Sequence, residues 1–304
     1  MKRALLIFIF FFSTASFAQQ EAIYSQYMFN QMVINPAYAG SRNSMSAVLL
    51  HRTRWLGMEG APTTSTFSIH TDLDKSNLAI GANIAADNLG ATTNLMAAIA
   101  GAYHLRLKRG RLALGLRAGF YNSSLNASKL SFSDPTDVLS TGARQSAAVP
   151  TADFGLYYYT RKFYVSLAFN HANNAKFNYA DWGNDVTFNL RPYNVLGMGY
   201  AWEISENLML KPSFLLKGTQ GFNGNLDINL SALFYKMVWF GVSFRNQINM
   251  NLLLEVNVTD YMRVGYAYDN YLNKLGLATS GAHELFIGFD FSTGKTKTIS
   301  TRYL

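Results

Sequence analysis

The chain has 304 residues, 49% of them hydrophobic and 14% aromatic, with 14% charged, no cysteine and a net charge of +8. Zero cysteines exclude a disulfide framework, a thiolate metal site and a cysteine nucleophile. Charge this sparse, against roughly 25% in soluble domains, suits a surface that mostly faces lipid, yet past the N-terminus no run of about 18 apolar residues marks a transmembrane helix.

Residues 1–18 read as a cleaved signal peptide. Lys2 and Arg3 give a basic start, Ala4 to Phe12 an unbroken apolar stretch, and Ser16-Phe17-Ala18 a small-x-small cleavage site that leaves Gln19 as the mature end. No cysteine follows the apolar stretch, so a lipoprotein anchor is excluded. Export also argues against a nucleic-acid partner for this basic chain, whose longest basic run, Lys108-Arg109-Gly110-Arg111, has the look of a turn.

Residues 19–43 do not alternate, and Asn35-Pro36 and Gly40 punctuate them as turns. They are too apolar, aromatic and amide-rich for a free tail. An N-terminal plug-like segment, packed in or under a barrel lumen, is the expectation.

From about residue 44 the pattern has period two, the strand period. Leu112, Leu114, Leu116, Ala118 and Phe120 alternate with Arg111, Ala113, Gly115, Arg117 and Gly119. The final run sets Leu285, Ile287, Phe289 and Phe291 against Glu284, Gly288 and Asp290. The segments are long enough to cross a bilayer at a tilt, which takes roughly 9–11 residues. Fourteen are predicted, near 44–54, 62–72, 77–87, 93–106, 111–122, 151–161, 162–171, 192–204, 207–217, 225–236, 238–247, 250–259, 261–270 and 282–292. Short connections alternate with longer ones at 55–61, 88–92, 123–150, 172–191, 218–224, 245–249 and 271–281. That sorting fits an all-β, antiparallel transmembrane β-barrel of the outer membrane over residues 44–292, with short periplasmic turns and longer external loops. Residues 293–304 then form a periplasmic tail, and both the N- and C-termini are expected in the periplasm.

The apolar set is expected to face lipid. The other set, with Arg117, Asp153, Lys211, Lys217, Asp227, Arg245, Glu255, Arg263, Glu284 and Asp290, is expected to line the lumen and pair across it. A cation on the lipid side at the midplane costs about 2–4 kcal/mol. Tyr157-Tyr158-Tyr159 and Trp239-Phe240 have the look of interfacial girdles.

Chemistry is hard to find. The histidines at 51, 70, 104, 171 and 283 form no i, i+2 or i, i+4 ligand pair, so no metal and no cofactor is expected. No Gly-x-Ser-x-Gly elbow or Walker loop occurs. A phospholipase-like site around His104 and Ser166 is conceivable only by geometry. Asp181-Trp182-Gly183-Asn184-Asp185 lacks the remaining calcium-loop ligands and reads as turn chemistry. A non-enzymatic protein is the expectation.

One stretch carries a resemblance. Ser25-Gln26-Tyr27-Met28-Phe29-Asn30, Ile34-Asn35-Pro36-Ala37-Tyr38-Ala39-Gly40-Ser41, Arg54-Trp55-Leu56-Gly57 and Glu59-Gly60-Ala61-Pro62-Thr63 resemble the PorP/SprF proteins of the type IX secretion system. Gln26, Tyr27, Asn30, Asn35, Pro36, Ala37, Gly40, Trp55, Gly57, Gly60 and Pro62 are the motif positions. The match is dense over about residues 22–72; the rest is similar mainly in length and strand rhythm. The resemblance implies an outer-membrane barrel that works with other type IX components. It also implies a secreted partner with a C-terminal sorting domain, often a large adhesin used in gliding motility, which the barrel helps to export or to hold at the surface.

The motif does not say which residues touch such a partner. The two longest loops carry aromatics expected to be exposed, Phe132, Phe177, Tyr179 and Trp182. Long loops are usually functional or disordered, and Trp and Tyr lead at protein-binding hot spots, so these four are the candidate contacts. The rival reading is a diffusion porin or a hydrophobic-compound channel.

Overall fold

The computed structural model describes residues 24–42, 44–73, 76–133, 144–179, 188–219, 223–246 and 249–292. The stretches expected to form a signal peptide (1–18), a periplasmic tail (293–304) and a turn (181–185) lie outside them. Fourteen antiparallel strands close into a barrel. They are β1 (Ser44–Thr53), β2 (Thr63–Asp72), β3 (Leu78–Leu89), β4 (Thr92–Leu107), β5 (Gly110–Asn126), β6 (Arg144–Tyr159) and β7 (Phe163–Asn170). There follow β8 (Tyr193–Tyr200, resuming at Trp202–Ser205), β9 (Leu208–Thr219), β10 (Asn223–Phe234), β11 (Val238–Arg245), β12 (Asn249–Asn257), β13 (Met262–Tyr271) and β14 (Ala282–Ser292).

Each strand pairs with the next, and β14 returns to β1 in a register running from Ser44↔Ser292 to Thr53↔His283. Closure leaves no edge whose amides lipid would have to satisfy. The alternation expected from sequence holds. Leu116 is 65% exposed and its neighbour Arg117 only 2%. Leu230, Leu254 and Leu285 face outward while Lys211, Glu255 and Glu284 are buried in the lumen.

Several details differ from the sequence reading. β5 and β6 run on to Asn126 and from Arg144, so the connection shrinks to 127–143. Loop lengths do not alternate throughout: the connections at 90–91, 220–222 and 246–248 are short although they share an end with the long loops. At 90–91 the neighbouring 54–62 loop leans over instead, with the Gly90 amide donating to the Gly60 carbonyl at 3.1 Å. The charges do not mainly pair across the lumen. Arg117 meets Asp153 and Arg245 meets Asp227, each directly opposite on the adjacent strand. Tyr157, Tyr159 and Trp239 are not girdle residues: alternation turns them inward, where they are buried, while Tyr158 and Phe240 take the outward face.

One seam in the wall is irregular. β8 and β9 pair from Asn194↔Gly218 to Gly199↔Ser213 and again at Trp202↔Leu210. Pro212 falls in the gap and has no amide to donate. The Ala201 amide turns away and donates to the Lys162 carbonyl at 2.6 Å. An apolar groove of about 580 Å³ lies outside this seam, between Met198, Tyr200, Phe214 and Ile228.

Candidate functional site

Residues 24–42 occupy the lumen. They fold as three short 3-10 turns, Tyr27–Phe29, Gln31–Val33 and Pro36–Tyr38, every residue of which is buried. The local reason is clearest at Asn35. Its Oδ1 accepts the Ala37 amide at 2.9 Å, and Pro36 at the first helical position has its φ already set. Gly40 ends the last turn with a φ of +68°, a left-handed conformation that glycine adopts freely.

The wall is shaped to receive this segment. Asn35 Nδ2 donates to Ser166 Oγ at 2.7 Å on β7 and to the Leu156 carbonyl at 3.0 Å on β6. Gly155 and Gly115 face it, and a Cβ at either would collide with Asn35 or with the Ala37 backbone. Ser68 Oγ donates to Asn30 Oδ1 at 3.0 Å. Arg117 holds Asp153 and also donates to the Val33 carbonyl at 3.0 Å and to Asn170 Oδ1 at 2.9 Å. Lys211 lies over the rings of Phe29 and Trp239, at 5.1 and 4.9 Å from their centroids. Tyr38 meets Tyr157 and His70 edge-on, both at 5.3 Å.

Two charged clamps mark the ends of the segment. At the loop end, Glu284 accepts the amides of Ser25 and Gln26 at 2.9 and 2.8 Å. Ser25 Oγ donates to Asp269 at 2.6 Å, and Arg52 pairs with both carboxylates. At the turn end, Arg42 pairs with Asp290 at 3.1 Å.

Of the motif positions, Gln26, Tyr27, Asn30, Asn35, Pro36, Ala37 and Gly40 therefore sit inside the lumen. Trp55, Gly57, Gly60 and Pro62 sit in the 54–62 loop. Trp55, Gly57 and Gly60 take positive φ values of 54°, 97° and 71°. The Arg54 amide donates to the Pro62 carbonyl at 2.9 Å, and Leu56 exchanges backbone bonds with the 272–281 loop at Gly281 and Ser280. The two halves of the motif thus build one seat and one loop-end brace, joined through Arg52 on β1.

The loop-end mouth is partly roofed by the β7–β8 connection. Phe177 and Phe188 stack at 5.5 Å within a two-residue ladder, Lys176–Phe177 against Phe188–Asn189. Tyr179 is not exposed as expected: it is 4% accessible, and its hydroxyl shares a hydrogen bond with Ser123 Oγ at 2.9 Å. The loop folds back over the mouth because its rings find Tyr121 and each other there. Phe177 and Phe132 are half-buried. Trp182 lies outside the described residues. Between Tyr24, Val33, Ile34, Tyr121 and Lys217 remains a cavity of about 30 Å³, enough for about one water molecule.

Sequence reasoning missed Arg52 and Asp269, and quoted Ser25 only within the motif, without a role. The signal for Arg52 was present, since it shares the inward face with Val48 and Leu50, but those two are apolar because they pack on the segment. The conceivable His104–Ser166 site does not assemble. His104 donates from Nε2 to the Ala39 carbonyl at 2.8 Å, and Ser166 is engaged by Asn35. Among the described residues no cluster of three or more metal-ligating side chains occurs.

The chain ends themselves, expected together in the periplasm, lie outside the described residues. Tyr24 lies at the loop end, where Arg245 donates to its carbonyl at 3.1 Å, and Ser292 lies at the turn end beside Ser44. A segment without periodicity gives no direction of travel, and this one traverses the lumen.

Comparison with known proteins places these features. The family described as type IX secretion system membrane protein PorP/SprF matches residues 16–289. No curated protein matches the chain. Among solved structures, the CymD monoaromatic hydrocarbon channel is similar at 14% identity and a TM-score of 0.51, over 90% of this chain and 94% of that one. The P. putida toluene transporter TodX is similar at 10% identity and a TM-score of 0.50, over 89% and 95%. At such identities the likeness is one of fold.

Proposed function

The chain belongs to the type IX secretion system membrane protein PorP/SprF family, and on that premise we propose that it is a non-enzymatic, protein-binding barrel of the outer membrane. Its partner is a secreted, adhesin-like protein with a C-terminal sorting domain, which it helps to export or to anchor at the surface beside other type IX components. The observation that carries this reading is the filled lumen. Residues 24–42 are held by hydrogen bonds to strands around the wall, and the loop-end cavity beside them is about 30 Å³. A protein so filled acts through its surfaces rather than as a conduit, and the loop-end surface, with Phe132 and Phe177, is the candidate contact, to which Trp182 is added on the sequence alone. Purification from native outer membrane tests it: a sorting-domain protein should co-purify, and deletion of the barrel should leave that protein off the cell surface. Unchanged display in the deletion strain would refute the role.

The second reading, a hydrophobic-compound channel, has one observation in its favour. The groove at the β8–β9 seam opens an apolar surface at the place where the strand ladder lapses. Uptake of a small aromatic hydrocarbon by liposomes containing the intact barrel would favour it.

A further inference from the structure

The outer face of the wall is interrupted at one place. Between Gly199↔Ser213 and Trp202↔Leu210 the β8–β9 ladder lapses, because Pro212 has no amide to donate and the Ala201 amide goes to the Lys162 carbonyl. Pro212 also puts a short ring among longer outward side chains. The result is an apolar groove of about 580 Å³, lined by Phe163, Met198, Tyr200, Pro212, Phe214 and Ile228. Met198, Tyr200 and Ile228 are exposed on the outward face, so the groove opens on hydrocarbon and not on the lumen.

The groove is as deep as one leaflet. It runs from Tyr200, beside the Trp202↔Leu210 pair, past Phe214↔Ile228 to Leu226, whose partner is Leu216. The stretch from Leu210 to Leu216 rises about 20 Å along its strand. At a tilt of roughly 40° that is about 15 Å of depth, half of a hydrocarbon core about 30 Å thick. Its turn end lies at headgroup level, where Tyr200 and Trp202 are exposed as rings at a membrane interface are. Arg161 and Lys162 directly precede Phe163 and are exposed at the same end. Lys162 pairs with Glu203 at 3.2 Å, which offsets that carboxylate.

We propose that this groove holds one phospholipid of the turn-side leaflet. An acyl chain lies along Met198, Phe214 and Ile228, and the phosphate lies over Arg161 at the turn-end mouth. A free hydrocarbon would take the groove but not the cationic mouth, and a free phosphate the mouth but not the groove; a phospholipid takes both. A chain seated there restores the van der Waals contact that a gap in the outer face forfeits. The site rests on the membrane-barrel fold and is independent of what docks on the loops.

Native mass spectrometry tests it, on barrel taken from vesicles of phosphatidylglycerol or of phosphatidylethanolamine and exchanged into a detergent that strips bulk lipid. The parent should retain one phospholipid per chain. Met198→Trp and Ile228→Trp fill the groove from two sides, and each should cut retention severalfold. Leu116→Trp, on the lipid face of β5, should leave it unchanged. Arg161→Gln should lower retention of both lipids, since they share the phosphate. All variants are compared as protein with retained heat-modifiable migration. A parent without retained phospholipid, groove-filled variants that keep it, or an equal loss in Leu116→Trp would overturn the site. Undiminished retention by Arg161→Gln would overturn the phosphate contact.

Discussion

Arg52 Nη1 donates to Ser25 Oγ at 2.7 Å while the same guanidinium holds Asp269 and Glu284. One inward side chain on β1 thus ties the first described turn of the lumen segment to two acidic strands of the wall. Arg52 and both carboxylates have 1% or less of their side-chain surface exposed. Replacing Arg52 with Met leaves two buried acids without their main cation, and removing one partner of a buried pair costs about 3–5 kcal/mol. The R52M barrel should lose its heat-modifiable form at a clearly lower temperature than the parent. Equal resistance would show that the clamp is dispensable.

Asn35 caps its own turn and bridges two strands. Asn35→Ala strands the Ala37 amide and removes the donor to Ser166 and Leu156. An unsatisfied buried polar group costs about 1–3 kcal/mol. Gly155→Val should be worse, because its side chain would occupy the space of Asn35. Thermal unfolding in detergent should rank the parent above N35A and N35A above G155V.

Occlusion is measurable apart from stability. Liposomes with the intact barrel should take up small sugars slowly. Deleting residues 24–40 should raise uptake several-fold in protein that still shows heat-modifiable migration. Fast uptake by the intact protein would contradict occlusion and favour a porin.

The loop-end contacts can be separated from the loop-end packing. Tyr179→Phe removes only the hydroxyl that meets Ser123, so it should loosen the roof, read as faster protease nicking in the 171–192 connection. Phe132→Ala, Phe177→Ala and Trp182→Ala together should release or trap the secreted partner with the barrel folded. Normal partner display by that folded triple variant would remove these residues from the contact surface.

The amino-acid sequence by itself determined the barrel. Period two over long segments fixes which side chains face lipid, and charges such as Arg117 and Glu255 can then lie only inside. The same pattern located fourteen strands and set the 24–42 stretch apart by its lack of alternation. What only tertiary structure decided was where that stretch goes and what it meets. A segment of single 3-10 turns has no period to read, and its fit depends on glycines at 115 and 155 that look like ordinary strand residues until Ala37 and Asn35 are set against them. Tyr157 and Tyr159 became core rather than girdle for the same reason: a lumen filled by protein buries aromatics as a core does, and nothing local to a strand tells a filled lumen from an open one.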